Sequence, residues 1–267
     1  LCDSRSPQFK LADLVPDWCF QEATLPRGQD ELLGWLQKRP PVWLRAQVPP
    51  DQALRELTAA DLAPRRHPVR LDAISITPPR VNLRMLASFR EGHFEIQDLA
   101  SQTVAGVCAP QPGERWWDAC AGAGGKALHL ATLMQNRGSI VASDIRTRKL
   151  DDLKKRARRG GFSNIRCREW KGKVLPAKKS GFDGVLVDAP CTCSGTWRRN
   201  PDARWTLERE EIAEFAEKQL ALLSNASHGV RAGGVLVYAT CSMFDAENEG
   251  VVQAFLANHE NFALEAF

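Results

Sequence analysis

The stretch Arg-Trp-Trp-Asp-Ala-Cys-Ala-Gly-Ala-Gly-Gly-Lys, residues 115–126, decides the fold of this chain. Residues 115–119 have the character of a short buried strand, and the glycine-rich turn after them lets a ligand approach the backbone closely. A helical pattern then runs from Lys126 to Gln135, which puts a helix N-terminus at the turn, where it attracts an anionic group. The stretch therefore predicts a strand, a ligand-binding turn and a helix in succession.

The same succession of strand and helix continues toward the C-terminus. Strands are predicted at 139–143, 164–168, 182–187 and 235–239, and helices at 147–159, 206–227 and 245–259. Alternating strands and helices are typical of a parallel sheet that helices cover on both faces. This part of the chain is therefore predicted to have an α/β fold.

Residues 1–80, by contrast, are rich in proline and irregular in period. The patterns within them are strands at 42–48 and 69–76 and a helix at 51–60. We therefore predict two domains, a small α+β module over residues 1–85 and an α/β domain over residues 86–267.

Composition narrows the class of protein. The chain has 267 residues, of which 43% are hydrophobic and 25% charged, and this excludes a wholly disordered chain. No apolar run reaches the length of a membrane span, and residues 1–10 lack the apolar core of a signal peptide, so we expect a cytoplasmic protein with no membrane partner. The eight cysteines include no Cys-x-x-Cys pair, which favours reduced thiols over disulfides or zinc ligands.

The positive charge of the chain is unevenly distributed. The net charge is only +4, yet residues 146–179 hold fourteen lysines and arginines against three acids. A basic run is often only a solvated helix face. It is also the electrostatic pattern of a surface that binds a polyanion such as a nucleic acid.

Polar residues cluster where four of the predicted strands end. The clusters are Asp118–Lys126, Asp144, Asp188–Cys193 and Thr240–Ser242. Because parallel strands bring their carboxyl ends to one edge, where such folds bind ligands, the clusters predict a single site. Asp144 follows the turn by about twenty residues, the spacing at which a carboxylate accepts the hydroxyls of a ribose. The turn lacks the G-x-G-x-x-G pattern, so an adenosine-containing cofactor other than a nicotinamide dinucleotide is favoured.

Two of the clusters contain a cysteine at a strand end, Cys191 and Cys241. A free cysteine is most often a small core residue, and we interpret Cys120 and Cys193 in that way. A thiol on a ligand-binding edge can instead be activated as a nucleophile. Two thiols at neighbouring strand ends favour this second interpretation for Cys191 and Cys241.

A loop rich in arginine follows Cys191. Its members Arg198, Arg199 and Arg204 are either exposed loop charges or contacts to the phosphates of a nucleic acid. Their position directly after a candidate nucleophile favours the second interpretation, so we predict that all three bind a nucleic acid.

The motifs resemble those of the RsmB/NOP2/NSUN (Fmu/Sun-like) family of S-adenosylmethionine-dependent RNA 5-methylcytosine methyltransferases. Residues 118–126 resemble the family motif D-x-C-A-A-P-G-G-K, and residues 188–205 resemble D-A-P-C-S-x-x-G-x-x-R-R-x-P-D-x-[RK]-W. Residues 236–242 are similar to the second cysteine motif, and residues 247–249 to the E-E-N that follows it. The resemblance extends over roughly residues 40–260.

The resemblance implies a class I, Rossmann-like methyltransferase fold, with a mostly parallel seven-stranded sheet that contains one antiparallel strand. It implies that the α+β module recognises RNA and that RNA is the nucleic acid bound by Arg198, Arg199 and Arg204. It also implies that the cofactor is S-adenosyl-L-methionine and that the protein is a monomer without a metal. The residues that it implies for the cofactor site are Cys120, Ala121, Gly122, Ala123, Gly124, Gly125, Lys126, Asp144, Lys149 and Asp188.

The resemblance also implies a reaction. A thiolate adds to carbon 6 of cytosine and makes carbon 5 nucleophilic enough to accept a methyl group. Cys241 is implied as the attacking thiol and Cys191 as the residue that assists release of the product. Asp188 would hydrogen-bond the base, and Lys126 would stabilise charge. The target base must lie outside a stack.

Ribosomal RNA is the expected substrate and transfer RNA the alternative. A methyltransferase for an amino group of adenine or guanine is disfavoured because the loop 188–191 has no aromatic residue in its fourth place. A catalytically silent RNA-binding ribosome-assembly factor is disfavoured by the intact candidate catalytic residues. A zinc-binding module would have to use Cys120, Cys191, Cys193 and Cys241 as its ligands. It is disfavoured because these cysteines lack the paired Cys-x-x-Cys spacing of zinc sites.

The sequence also departs from the family motifs at three places. Gly122-Ala123 replaces Ala-Pro, a change that keeps backbone contacts to a ligand possible. Glu169-Trp170 stands where the family usually has an acid near the adenine, and Gln47 replaces an asparagine.

Overall fold

A computed structural model of the chain describes residues 10–25, 27–77, 81–173, 175 and 181–266. Some of the sequence predictions fall outside these residues. In the predicted module these are residues 1–9, 26 and 78–80. In the basic run they are residues 174 and 176–179, and in the predicted α/β domain residue 267 is a further one.

Helices and strands alternate along most of the chain. The first elements are α1 Gln29–Leu36, β1 Val42–Ala46, α2 Pro50–Ala59, β2 Arg65–Arg66, β3 Ala73–Ile76, α3 Ala87–Arg90, β4 Phe94–Ile96 and α4 Leu99–Cys108. They are followed by β5 Arg115–Asp118, α5 Gly125–Leu133, β6 Ser139–Asp144, α6 Thr147–Arg159, β7 Ile165–Glu169, β8 Phe182–Asp188, α7 Glu211–Ser227, β9 Val230–Ala239 and α8 Glu249–Asn258. None of the helices in the described ranges combines the length and the apolar character needed to span a membrane.

Strands β5 to β9 form a sheet in the order β7-β6-β5-β8-β9, and all its neighbouring strands are parallel. Val185, Leu186 and Val187 on β8 are fully buried, as expected for a parallel strand covered on both faces. The α/β fold predicted from the sequence is therefore confirmed. The strand order reverses between β5 and β8, which is the position where open α/β sheets bind ligands.

The number of strands differs from the prediction. The described residues place five strands in this sheet and no antiparallel pair, so the prediction of seven strands with one antiparallel member is wrong for them. Residues 259–266, which follow α8, contain no strand, so they add no partner to the sheet.

Several element boundaries also differ from the sequence patterns, and the starts of β9 and α7 differ most. β9 begins at Val230 rather than 235, because the Gly233-Gly234 pair continues the strand instead of preceding it. α7 begins at Glu211 rather than 206. The Glu211 carboxylate accepts a hydrogen bond from the Glu208 N–H (2.9 Å), which is one of the two bonds of a capping box at the start of a helix.

Strands β1 to β4 form a second sheet, antiparallel throughout, in the order β2-β3-β1-β4. Leu44, Ile74, Ile76 and Phe94 are buried in its core. The strand patterns at 42–48 and 69–76 correspond to β1 and β3, so both predicted strands are present. β4 lies beyond residue 85, the predicted end of the module.

The chain divides into two compact units. We name the first the sheet unit, which comprises the described residues of 41–189, 221–239 and 264–267. We name the second the cysteine unit, which comprises the described residues of 1–40, 190–220 and 240–263. The predicted domain boundary between residues 85 and 86 lies inside the sheet unit. The division into two domains at that position stays a prediction.

The cysteine unit has a hydrophobic core of its own. Its buried members are Val15, Cys19, Leu33, Leu36, Trp197, Ile212 and Phe244. The rings of Trp197 and Phe244 meet edge to face with centroids 6.1 Å apart. Because Trp197 follows Cys191 and Phe244 follows Cys241, this core holds together the two loops that carry the candidate nucleophiles.

Candidate active site

The sheet unit presents a ligand edge at the carboxyl ends of β5, β6 and β8. We define this edge as residues 118–126, 144–146 and 188. The Ala121 N–H donates to the Ser143 carbonyl (2.8 Å), and the Gly124 N–H donates to the Ala121 carbonyl (2.8 Å). Gly124 has a φ of +87°, and a Cβ there would lie 2.4 Å from Leu153 Cγ. The turn therefore requires glycine at this position.

Asp144 lies at the end of β6, as the sequence predicted. One carboxylate oxygen accepts the Gly122 N–H (2.9 Å), and the other accepts the backbone N–H and the Nε–H of Arg146 (2.8 and 3.1 Å). Burial alone would raise the pKa of Asp144, but these hydrogen bonds bring it below its ordinary value. The carboxylate is therefore ionised at neutral pH and oriented against the turn.

The rest of the ligand edge holds an ion pair and a buried acid. Lys126 Nζ lies 2.6 Å from Asp188 Oδ2, and both side chains are largely buried, with 14% and 29% exposed. Asp118 is fully buried behind them. Three acidic side chains, those of Asp118, Asp144 and Asp188, thus share this region with Lys126 and the exposed Arg146 side chain.

Asp118→Asn is expected to stabilise the ligand-free protein at neutral pH. Burial, then the charge of Asp188, raise the pKa of Asp118 from 3.8 to about 7. Above pH 3.8 the unfolded chain loses a proton that the folded chain retains, so folding becomes less favourable until about pH 7 and then stays level. The difference in the free energy of unfolding between Asp118→Asn and the parent should grow between these two pH values, to at most about 4 kcal/mol.

Urea unfolding at about pH 4.5 and about pH 7.5 measures this difference. Asp30→Asn, at an exposed position of α1, is the control and should show no such growth. An Asp118→Asn advantage that is the same at both pH values would contradict the buried, partly protonated carboxyl.

The cysteine unit brings three thiols together. We define the thiol cluster as Cys191, Cys193 and Cys241, whose sulfurs all lie within 4.8 Å of one another. The Sγ atoms of Cys191 and Cys241 are 3.2 Å apart, and the Cys241 N–H donates to Cys191 Sγ (3.3 Å). The Gly195 N–H donates to the Cys241 carbonyl (2.8 Å), which ties the two loops together beside the pair.

The environment of each thiol in the cluster is different. Cys191 is buried, whereas Cys193 and Cys241 are exposed, so interpreting Cys193 as a packing thiol is wrong. The hydrogen bond to Cys191, then that to Cys193 and burial, raise the pKa of Cys241. The pKa of Cys191 is also raised, first by its hydrogen bond to Cys193. A thiolate at Cys241 therefore needs a proton to be retained elsewhere in the cluster.

A buried glutamate, Glu247, lies beneath the thiol cluster. Its carboxylate accepts hydrogen bonds from the Thr192 N–H (3.0 Å), the Thr192 hydroxyl (2.5 Å), the Ser242 hydroxyl (2.5 Å) and the Gln219 amide (2.9 Å). Thr192 and Ser242 each directly follow one of the two paired cysteines. One carboxylate thus fixes both loops. The sequence pattern at 247–249 marked this residue, but no role was predicted for it.

Arg204 is not available to bind RNA as predicted. Only 4% of the residue is exposed. Its guanidinium donates to the carbonyls of Leu14 (2.8 Å), Pro201 (3.0 Å) and Trp197 (3.5 Å). It therefore serves to join the N-terminal segment of the cysteine unit to the arginine-rich loop.

The other two arginines of that loop differ from each other. Arg198 stacks over the Trp35 ring, with its guanidinium carbon 4.1 Å from the ring centroid, and its Nε donates to the Lys38 carbonyl (2.8 Å). Arg199 is exposed. Arg199 is therefore the member of the three that is best placed for a phosphate, and RNA binding by Arg198 and Arg199 stays a prediction.

Most residues that the resemblance implied for a cofactor lie on the ligand edge. The exception is Lys149, which is exposed on α6. At the end of β7, Glu169 is exposed, whereas Trp170 is buried and packs edge to face on Trp117 at 4.8 Å. Gln47 donates to the Gly92 carbonyl (2.7 Å), which is a structural contact.

Comparison with known proteins bears on this arrangement. Residues 105–267 match the family described as 16S rRNA methyltransferase RsmB/F. A probable ribosomal RNA small subunit methyltransferase B from Synechocystis sp. is 35% identical over 265 residues, which cover 94% of this chain and 58% of the relative. A second protein described as a probable ribosomal RNA small subunit methyltransferase B, from Bacillus subtilis, is 39% identical over 181 residues, which cover 65% of this chain and 39% of the relative.

Solved structures agree with the fold. The crystal structure of PH0851 is similar with a TM-score of 0.85 and 30% identity, covering 97% of this chain and 61% of that one. This chain thus spans little more than half the length of several relatives that it matches. Its parallel sheet and these neighbours establish a class I, Rossmann-like methyltransferase fold. Because the family match covers more than half of its residues, the chain belongs to the RsmB/F family of 16S rRNA methyltransferases.

Proposed function

We propose that the protein is an RNA (cytosine-5)-methyltransferase that uses S-adenosylmethionine and acts on the ribosomal RNA of the small subunit. The observation that carries the proposal is the pair of thiols, Cys191 and Cys241, with sulfurs 3.2 Å apart. Methylation at carbon 5 of a pyrimidine needs a nucleophile that adds to the ring and a second group that helps to release it. The names of the matched relatives support ribosomal RNA as the substrate.

The ligand edge fits S-adenosylmethionine, which when bound supplies an electrophilic methyl group. The cofactor is positively charged at its sulfonium and its amino group, and the carboxylate of Asp188 complements that charge. Asp144 is ionised and can accept the ribose hydroxyls. The Arg146 side chain, which is 65% exposed, would give up its place on Asp144 to them. Gly122 leaves open space above the turn.

In the proposed reaction, the Cys241 sulfur forms a bond to carbon 6 of cytosine. Negative charge then spreads over the ring toward N3. Asp188 accepts a hydrogen bond from the exocyclic amino group, and Lys126, paired with Asp188, neutralises the developing charge. Carbon 5 takes the methyl group, its proton passes to a base, and the carbon–sulfur bond breaks so that the bonding electrons return to the Cys241 sulfur. Cys191 assists this last step.

The exposure of the two thiols supports the roles proposed for them. Cys241 is exposed, as a group that attacks a base must be, whereas Cys191 is buried beside it with its sulfur 3.2 Å away.

Methyl transfer from labelled S-adenosylmethionine, followed by nucleoside analysis of the product, tests the proposal. The substrates are small ribosomal subunits, naked 16S rRNA and transfer RNA. Label in 5-methylcytidine of ribosomal RNA supports the proposal, and label in transfer RNA alone moves the substrate to the alternative. Label in a methylated adenosine or guanosine overturns it. Binding of the cofactor without transfer to any of these RNAs favours a silent assembly factor.

Arg199→Ala and Arg204→Ala are expected to affect different properties. Arg199→Ala should weaken RNA binding and lower the slope of affinity against salt by about one, because one phosphate contact is lost. Arg204→Ala should instead lower stability by about 2 kcal/mol, because it removes a buried side chain that satisfies three carbonyls. RNA binding across a salt series and urea unfolding measure the two effects. An Arg204 variant of unchanged stability that binds RNA weakly would contradict this assignment.

A further inference from the structure

The thiol cluster has a property that the proposed reaction does not use. Addition and release need two thiols, yet the structure places a third, Cys193, within 4.8 Å of both. Zinc binds thiolate sulfur at about 2.3 Å with tetrahedral angles, which requires sulfurs about 3.8 Å apart. The 3.2 Å spacing of the catalytic pair and the 4.8 Å limit for the cluster bracket this value. Small side-chain rotations would make the three sulfurs fit one ion.

The backbone holds Cys193 in a specific position. Its φ is +59°, in the left-handed region that costs a residue with a side chain about 1 kcal/mol and costs glycine little. The Thr196 N–H donates to its carbonyl (2.9 Å), and its sulfur lies 3.4 Å from the Cys191 carbonyl oxygen. A strained residue persists where its surroundings determine it. Here they direct its sulfur toward the other two.

The cluster is also open to an ion from solution. Two of its three thiols are exposed, so a cation can reach them and keep a water molecule as its fourth ligand, as zinc sites with an open position do. The neighbouring carboxylate, Glu247, is engaged by four hydrogen bonds and is not needed as a ligand. Sulfur donors select soft cations over magnesium or calcium.

We propose that Cys191, Cys193 and Cys241 form a binding site for a soft divalent cation such as Zn²⁺ or Cd²⁺. On binding, three S–H bonds break, three sulfur–metal bonds form, and three protons pass to solvent, with no change of oxidation state. The ion occupies the two thiols that methyl transfer would use, so it inhibits that reaction. Only this last consequence rests on the proposed function.

Titration of the metal-free protein with Cd²⁺ tests the site under reducing conditions. Sulfur-to-metal charge-transfer absorption reports the number of bound thiolates, and a pH indicator reports the protons released. One ion with three thiolates and three protons is expected. Cys193→Ser should bind Cd²⁺ with two thiolates and release two protons. Its affinity for Cd²⁺ should fall by more than the roughly 10–100-fold that is typical when a residue that only supports a metal ligand is lost.

Two further variants make the result decisive. Cys167→Ser removes a partly buried thiol outside the cluster and should bind as the parent does. Cys193→Gly relieves the left-handed strain, so it should fold at least as well as the parent while losing the third ligand. Parent protein that binds no Cd²⁺ at micromolar concentration, or both Cys193 variants binding with parental affinity and absorption, would overturn the proposal.

Inhibition is measured separately, as the Zn²⁺ concentration that halves each protein's own rate of methyl transfer. Both Cys193 variants should require a higher concentration than the parent, by the same factor as their loss in affinity. Because the cadmium titration does not depend on turnover, ion binding without any methyl transfer would count against the proposed function alone. Equal inhibition of parent and variants would refute the three-thiol site as the cause of inhibition.

Discussion

Cys241→Ala is expected to lower methyl transfer to RNA by at least about 10³-fold, because loss of a covalent nucleophile removes the step on which the others depend. Cofactor affinity should be unchanged, since the ligand edge is built from other residues. Single-turnover transfer from labelled S-adenosylmethionine, with equilibrium binding of the cofactor beside it, measures both quantities.

Cys191→Ala should fail at a later point. The Cys241 sulfur can still add to the base, but release is slowed, so a protein–RNA adduct that survives denaturing electrophoresis should accumulate. Cys167→Ala is the matched control, and it should neither slow methyl transfer nor accumulate the adduct. If instead Cys191→Ala loses the adduct and Cys241→Ala retains it, the two thiols exchange roles.

Glu247→Ala is expected to be more destabilising than any other substitution proposed for this protein. It removes the acceptor of four hydrogen bonds from buried or partly buried donors, and losses of about 3 kcal/mol or more are typical of such a network. The midpoint of thermal unfolding should fall by about 6–12 °C.

Glu249→Ala provides the comparison, because Glu249 is exposed two residues further on, in the first turn of α8. It should change the midpoint little. Glu247→Gln should lie between the two, since one oxygen remains as an acceptor while the new amide opposes a donor. Equal midpoints for the Glu247 and Glu249 variants would show that the two loops hold their positions without the carboxylate.

The predictions from sequence succeeded where the decisive interactions are local. Residues 115–126 form β5, the turn and the start of α5, because short-range apolar pattern and glycine spacing specify that unit. Arg204 was assigned wrongly because its packing depends on the carbonyl of Leu14, 190 residues away. A motif of charged residues carries no sign of which side chain turns inward.

The role of Glu247 escaped prediction for a related reason. Its partner Thr192 is 55 residues away, and nothing in the local pattern distinguishes a buried acid from the exposed one at Glu249. The third thiol is a similar case. Cys193 stands in a loop where only the left-handed backbone, visible in the structure, shows that its sulfur joins the other two.

The joining of the two loops has a consequence for the order in which the protein matures. Cys191 and Cys241 are 50 residues apart, and the core that supports them also needs Val15 and Leu33 from the start of the chain. Contacts so distant in sequence form late, after the cost of closing long loops has been met. Until then the thiols remain separate side chains. The paired nucleophile comes into existence only when these distant segments of the chain have folded together.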